Sequence, residues 1–432
     1  MRNKENSVIV DLIENVEGIT HWNQLSTIVQ SSEITTKFNL KDRVISLSTL
    51  VINQSIHNGK LYHDDYTNID FSLIPAGPFP TAHAPAITKV ENGDLLCAWF
   101  AGSFEGSPDI SIVLSKFNHE TQEWNVPEIV SQDDTRSEQN PSFFHAPDNS
   151  VWLIYTSQEG RQPDKDNMQF TSIVKYQKTY DNGETWTEPE VLFSRPGTFA
   201  RQAIQVLSSG RWIFSTWVCE DSEFGLTNDP TVFQVSDDEG QTWKEVIMPE
   251  SNGRVHANVI ELKDGHLAAF MRSRFADYIY RSESTDNGDT WTVPEPTILP
   301  NNNASISAIK LDNGAIAIAY NANSATSPEK GKVAWPGLRN PVVVSVSEDG
   351  GNTWPIGRII EHAEGFIGAE NKTNNSQFEY PTIYQDTEGR LHLVYAYKNR
   401  LCVKYNGFSV EDIYGKKREN EGVYNPTSGE IS

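Results

Sequence analysis

Six residues with polar or reactive side chains occupy one place in a repeated pattern: His83, Asn140, Arg201, His256, Ser305 and Tyr380. Five of them stand nine residues before an Asn/Asp-Gly turn or its equivalent, and His83 stands ten before Gly93. A position that serves packing tends to keep one residue type. Varied polar groups at an equivalent position point instead to a site grafted onto a symmetric scaffold. Further groups lie close by in the chain. Arg254 precedes His256 by two residues, Arg272 and Arg274 follow the next strand, and Arg339 precedes a later one. Glu105 and Asp109 sit in the loop 101–109. Imidazole, phenol and carboxyl groups supply acid–base and nucleophilic chemistry. Guanidinium forks match carboxylates. Arginines crowded into one channel repel each other unless an anion joins them, so the implied ligand carries a carboxylate or a similar planar anion. The competing assignment pairs these arginines with surface acids, and it applies most to Arg254, Arg272 and Arg274.

The elements that position these groups are repeats. Ser236–Trp243, Ser284–Trp291 and Ser347–Trp354 fit S-x-D-x-G-x-T-W, Thr179–Trp186 fits with Thr for Ser, and Ser115–Trp124 is a degenerate copy. The Asp can accept N–H bonds across a turn, Gly supplies a positive φ, and Trp packs beneath. These carboxylates read as structural. Between them, Asn92-Gly93, Asp264-Gly265 and Asn313-Gly314, with Ser209-Gly210, Glu388-Gly389 and Asp148-Asn149 as variants, mark hairpins. The strands that follow, such as LLCAWF, WIFSTW and LHLVYAY, are β-branched and aromatic. Six such units predict an all-β, six-bladed β-propeller. The last unit has room for three strands, so an N-terminal strand in 43–53 or 70–74 must close the ring. The expected organisation is an N-terminal extension (1–75) with a helix within 8–30, a propeller (76–410) and a polar, mobile tail (411–432).

The chain has 432 residues and a net charge of −23. That charge argues against nucleic acid or an anionic membrane as the partner. No apolar run is long enough to span a bilayer. Asp11 and Glu14 interrupt the N-terminal apolar run, and three scattered cysteines (Cys97, Cys219, Cys402) fit reduced thiols, so a cytoplasmic location is expected. No metal or cofactor motif is present, and none is expected.

The S-x-D-x-G-x-T-W units resemble the Asp boxes of sialidases over roughly residues 78–405. The resemblance implies six blades and an acidic-sugar glycan as substrate. It also implies roles. Arg272 and Arg339 look like two carboxylate-binding arginines, and Arg201 is a further candidate for the clamp; Arg254 and Asn140 are grouped with them as substrate-binding candidates. Asp109, then Glu105, look like the acid/base. Tyr380, in Glu-Tyr380-Pro-Thr-Ile, looks like the nucleophile. Two positions depart from the family: His83, in His83-Ala84-Pro85, stands where its first arginine would be, and His256 where the glutamate that assists the tyrosine would be. The implied activity is a sialidase-like exo-glycosidase that releases a carboxylate-bearing sugar. A second reading, similar to ulvan lyases and rhamnosyl-glucuronate hydrolases, uses His83, His256, Arg201 and Tyr380 on a uronate. A third is a non-catalytic carbohydrate-binding propeller with aromatic platforms, for which Trp99, Trp217 and Trp335 are candidates.

Overall fold

A computed structural model describes residues 58–161, 167–221, 225–325, 332–335, 339–362, 377–414, 424–425 and 430–431. The expected helix within 8–30, the strand candidate 43–53 and most of the tail lie outside these residues. Six antiparallel sheets follow one another around an axis. Each begins with an inner strand: β3 (Thr81–Lys89), β8 (Arg136–His145), β12 (Thr198–Ala200) with β13 (Gln205–Val206), β17 (Arg254–Lys263), β21 (Ser307–Lys310) and β25 (Glu379–Gln385). The middle strands, such as β4 (Leu95–Gly102), β14 (Trp212–Val218), β18 (His266–Ser273) and β26 (Leu391–Tyr397), are almost wholly buried. Neighbouring blades cover both of their faces, which explains their unbroken apolar runs. Leu96, Ala98 and Phe100 of the first blade pack with Leu153 and Tyr155 of the second, for example.

The last blade takes strands from both ends of the described chain. The strand β2 (Ile69–Ile74) pairs with β27 (Cys402–Phe408), from Asp70 opposite Gly407 to Ile74 opposite Val403. A short helix, α1 (Val410–Tyr414), then buries Ile413 against the last two blades.

The four full boxes share one hydrogen-bond pattern. In Ser284–Trp291, Ser284 Oγ donates to Asp286 Oδ1 (2.8 Å), and Thr290 N–H donates to the same oxygen (2.9 Å). Gly288 N–H donates to Ser284 Oγ (2.9 Å); two of the four boxes add a bond from the tryptophan Nε1–H to the glycine carbonyl, Trp291 to Gly288 O (3.1 Å) and Trp243 to Gly240 O (2.9 Å). Gly351, the box glycine of the fifth blade, has φ 89°, and a Cβ there would meet Phe270 at 2.4 Å. These are staples between outer strands, and their carboxylates take no part in the centre.

Candidate active site

The inner strands of four blades lose register at the same point: between His83 and Ala86, Gln139 and Ser142, Val255 and Asn258, and Glu379 and Thr382. The residue at each break is left-handed, with φ of 51° at Ala84, 53° at Asn140, 55° at His256 and 55° at Tyr380. Such bulges re-aim a side chain, and a non-glycine residue there costs roughly 1–3 kcal/mol. The equivalent position in the first blade is therefore Ala84. The longer count that selected His83 is corrected by one residue, and His83 corresponds instead to Glu379. Its side chain is nevertheless central, with its ring centroid 4.3 Å from that of Tyr380.

Tyr380 and His256 meet at one guanidinium. Arg272 Nη1 donates to Tyr380 Oη (2.6 Å) and lies 3.2 Å from His256 Nε2. Arginine only donates, so Nε2 carries the lone pair. Nδ1 then holds the proton and donates to Ser305 Oγ at 2.9 Å. Trp217 stacks on the far face of the imidazole, with centroids 4.3 Å apart. Burial, reinforced by Arg272, Arg274, Arg201 and Arg339, holds His256 well below the ordinary histidine range. It is a neutral imidazole with its basic nitrogen turned to the Arg272–Tyr380 contact. Arg272 is also fixed by Asn303, whose Oδ1 accepts from Nε at 2.9 Å. Its Nη2 has no partner, and burial pushes the guanidinium down to about 10.

A second charge cluster adjoins the first. Glu379 Oε2 accepts from Arg339 Nη1 (2.6 Å) and from Arg400 Nε (3.1 Å), and His83 Nδ1 lies 3.2 Å away. Burial alone would raise the Glu379 carboxyl, but Arg339 and Arg400 outweigh it and hold the group below the usual glutamate range. His83 is kept neutral by burial and by Arg400, Arg339, Arg201 and Arg272. Arg400 continues the chain to Glu105 Oε2 at 2.9 Å. The guanidiniums of Arg339, Arg272 and Arg201 stand 5.2, 5.5 and 5.9 Å from the Tyr380 ring centroid.

The remaining candidates divide. Arg201 is buried on the axis, but uncharged acceptors occupy it: Pro141 O (3.1 Å), Pro85 O (3.0 Å) and Thr382 Oγ1 (2.7 Å). Arg254 does not join the centre. It lies over Tyr280 (3.7 Å to the centroid) and Phe275 (4.4 Å), with Asp277 beside it. Arg274 is buried against Asp229 at 2.7 Å, and burial raises that carboxyl to about 6. Asp109 is exposed and accepts from Ser103 N–H (2.8 Å) and Oγ (2.7 Å), which closes its own loop. Asn140 is buried at the bulge of the second blade. Trp99 and Trp217 are core residues, whereas Trp335 is exposed, with Arg272 5.6 Å from its ring centroid.

Sequence reasoning missed Glu379, Arg400, Asn303 and Asp229. Glu379 had one local signal, its place beside Tyr380. Asn303 and Asp229 are joined to the site by contacts between blades, and Arg400 by a contact to Glu379 across its own blade.

Counting charges, Arg339 and Arg400 are answered by Glu379 and Glu105, and Arg274 by Asp229. Arg201 and Arg272 have no carboxylate within ion-pair distance among the described residues. Six blades, four of them stapled by full Asp boxes, with tyrosine, histidine and arginines gathered at the axis, define a sialidase-like propeller. The chain belongs to the BNR repeat-like domain family, whose model matches residues 93–393. A sialidase of Micromonospora viridifaciens is 24% identical over 344 residues, which cover 68% of this chain and 48% of that protein. The chain thus spans about half the length of that curated relative. Among solved structures, the NanB sialidase of Streptococcus pneumoniae aligns with a TM-score of 0.61 at 15% identity, over 79% of this chain and 71% of its own. A protein of unknown function from Dyadobacter fermentans aligns with a TM-score of 0.61 at 16% identity, over 79% of this chain and 98% of its own. At these identities the structural likeness speaks for the fold.

Proposed function

We propose that the protein is an exo-glycosidase that hydrolyses the glycosidic bond of a carboxylate-bearing sugar. One observation carries this reading: Arg272 is a buried guanidinium with a free Nη2, no carboxylate partner among the described residues, and a direct bond to the Tyr380 hydroxyl. A substrate carboxylate would supply the missing charge. Arg339 is already engaged by Glu379, so Arg272 is the leading half of the clamp.

In this reading Tyr380 Oη attacks the anomeric carbon as the glycosidic C–O bond breaks. His256 Nε2 takes the phenol proton. Glu105 or Asp109 protonates the leaving oxygen, and water later releases the sugar from the tyrosine. The Arg272 N–H stabilises negative charge on the phenol oxygen during attack. A phenol is suited to the role because, unlike a carboxylate, it brings no full negative charge against the substrate's own; sialidases with a tyrosine nucleophile are the recognised exception to the two-carboxylate scheme.

One observation favours a second reading. Two neutral imidazoles, His83 and His256, flank Tyr380, an arrangement that also suits proton abstraction next to a uronate carboxylate. One experiment separates the two. The protein is incubated with sialosides and with uronate oligosaccharides, and the products are followed by chromatography and near-ultraviolet absorbance. A free acidic sugar without new absorbance supports hydrolysis. An unsaturated uronate supports elimination, and no turnover of either class defeats both.

A further inference from the structure

Ser305 holds one of the equivalent positions around the axis, and the proposed reaction leaves it without a part. It is fully buried, in the segment that leads into β21. Its hydroxyl oxygen stands 2.9 Å from His256 Nδ1. Two aromatic rings hold the imidazole in place. Trp217 stacks on one face, with 4.3 Å between centroids and 18° between planes, and the Tyr380 ring lies 5.7 Å away at 87°. Such contacts fix the plane of the ring but not its sense. A half-turn about Cβ–Cγ exchanges Nδ1 with Cδ2 and Nε2 with Cε1 and leaves the stack intact. The basic nitrogen would then leave the Arg272–Tyr380 contact, and a C–H group would replace it. Two polar contacts oppose that half-turn, Arg272 at Nε2 and Ser305 at Nδ1. The first is the longer (3.2 Å), and it shares Arg272 Nη1 with Tyr380, which takes the 2.6 Å bond. A substrate carboxylate on Arg272 would compete for it as well. Ser305 is free of both limits. The backbone around the pair is held by other groups. Asn258 Nδ2 donates to His256 O (2.9 Å), and its Oδ1 accepts from Ala308 N–H (2.9 Å), which ties β17 to β21. Asn301 Oδ1 accepts from Ser273 N–H and from Asn303 N–H, both at 3.1 Å. These bonds set Ser305 beside His256 without help from the hydroxyl.

We propose that Ser305 is a positioning residue for the base. By accepting the Nδ1 proton it keeps Nε2 turned to the Arg272–Tyr380 contact, and it steadies the imidazolium formed when Nε2 takes the phenol proton. Hydrogen bonds from a charged donor are roughly twice as strong as neutral ones, so the contact strengthens as that proton moves. An interaction that is stronger in the transition state than in the ground state raises kcat and leaves KM nearly unchanged. The catalytic consequence rests on the glycosidase reading; the hold on the imidazole does not.

The test reads the imidazole directly. The full chain, labelled with ¹⁵N-histidine, is compared as wild type, Ser305→Ala and Ser305→Thr by long-range ¹H–¹⁵N NMR at neutral pH. The His256 signals are identified by their loss in His256→Gln. The wild type should show a protonated Nδ1 and an unprotonated Nε2. Ser305→Ala should show a mixture of the two tautomers, and Ser305→Thr, which keeps the hydroxyl, should restore the single form. On a fluorogenic aryl sialoside, kcat of Ser305→Ala should fall about tenfold or more, a share of the roughly 10²–10⁴ that a positioned base contributes. KM should stay within about twofold, and Ser305→Thr should recover most of the rate. A proton on Nε2 of the wild type, or a Ser305→Ala spectrum identical to that of the wild type, overturns the proposal. So does a Ser305→Ala kcat equal to that of an active wild type. If Ser305→Ala does not fold, Ser305→Cys, whose thiol is a weak acceptor of similar size, is read in its place. A wild type inactive on the sialoside counts against the glycosidase reading alone, and the spectra still score the hold of Ser305 on the ring.

Discussion

Replacing Arg272 with methionine should separate function from stability in an unusual direction. Burial lowers this guanidinium from 12.5 to about 10. Each pH unit of such lowering corresponds to about 1.4 kcal/mol, so the charged side chain opposes folding by about 3 kcal/mol at neutral pH. Methionine fills much of the same volume without that penalty. The change also leaves Asn303 Oδ1, Tyr380 Oη and His256 Nε2 without their donor, at about 1 kcal/mol each. The two effects nearly cancel, and Arg272→Met should unfold within about 1–2 kcal/mol of the wild type. Arg274→Met is the contrast. It strands the buried Asp229 carboxylate and should lose about 3–5 kcal/mol. Urea denaturation at pH 7.5 reads both variants. Calorimetric titration with a carboxylate sugar should show binding to the wild type and none to Arg272→Met. If Arg272→Met loses as much stability as Arg274→Met, the guanidinium is a structural ion, and the case for an anionic ligand fails.

Tyr380→Phe should reduce turnover by about 10³-fold or more while leaving the melting temperature within a few degrees, since only a hydroxyl bonded to Arg272 is lost; near-normal turnover would remove the tyrosine from the reaction. Asp286→Ala should lower stability by about 1–3 kcal/mol without affecting kcat, because it breaks the box hydrogen bonds to Ser284 and Thr290; unchanged urea denaturation would dismiss the staple role. Stability should also fall as pH drops below 6.5. His83 and His256 stay neutral in the folded protein while the unfolded chain takes up protons near 6.5, so each contributes a loss of about 1.4 kcal/mol per pH unit. Asp229 acts in the opposite sense between 3.8 and about 6, where the folded protein keeps a proton that the unfolded chain releases, and it offsets about one histidine. A urea midpoint that is flat from pH 7.5 to 5 would contradict both histidine assignments. Finally, the acid limb of kcat should lie at higher pH than that of kcat/KM, because a bound carboxylate on Arg272 relieves one of the charges that depress His256; coincident limbs would exclude His256 as the base.

The scaffold was legible because its determinants are local. Each box closes on itself within eight residues, and each hairpin turn announces the strand that follows it. The ring-closing strand was legible for a different reason, as the one missing piece in a count of blades. The site was legible only in part, and Arg254 shows why. It stands two residues before His256 on β17, and an unbroken strand would turn both side chains to one face. The register break between Val255 and Asn258 interrupts that alternation, and Arg254 packs on Tyr280 while His256 joins the centre. The error at His83 has another source: the regular nine-residue spacing back from Gly93 falls on Ala84, the left-handed residue at its strand's break, and only a spacing of ten reaches the imidazole. Glu379 and Arg400 were hidden because their significance lies in each other. Arg400 enters from the hairpin between the last two strands of its blade, beyond every repeat landmark, and no local spacing links it to Glu379 or Glu105.

The charge balance explains why the symmetric ring has one asymmetric use. Five guanidiniums, Arg201, Arg272, Arg274, Arg339 and Arg400, gather around three carboxylates, Glu105, Glu379 and Asp229. The surplus falls on Arg201 and Arg272, which sit on the axis around Tyr380. Without a bound anion, burial and, after it, that surplus keep His256 neutral and weakly basic, so proton transfer from Tyr380 is disfavoured. A ligand carboxylate on Arg272 cancels the nearest of these charges and strengthens the base it adjoins. The proposed substrate would therefore switch on the group that deprotonates its own nucleophile, whereas a neutral sugar of the same shape would bind beside a base that remains weak. Selectivity for an acidic sugar would then arise in the reaction step as well as in binding, from Arg272 touching both Tyr380 and His256.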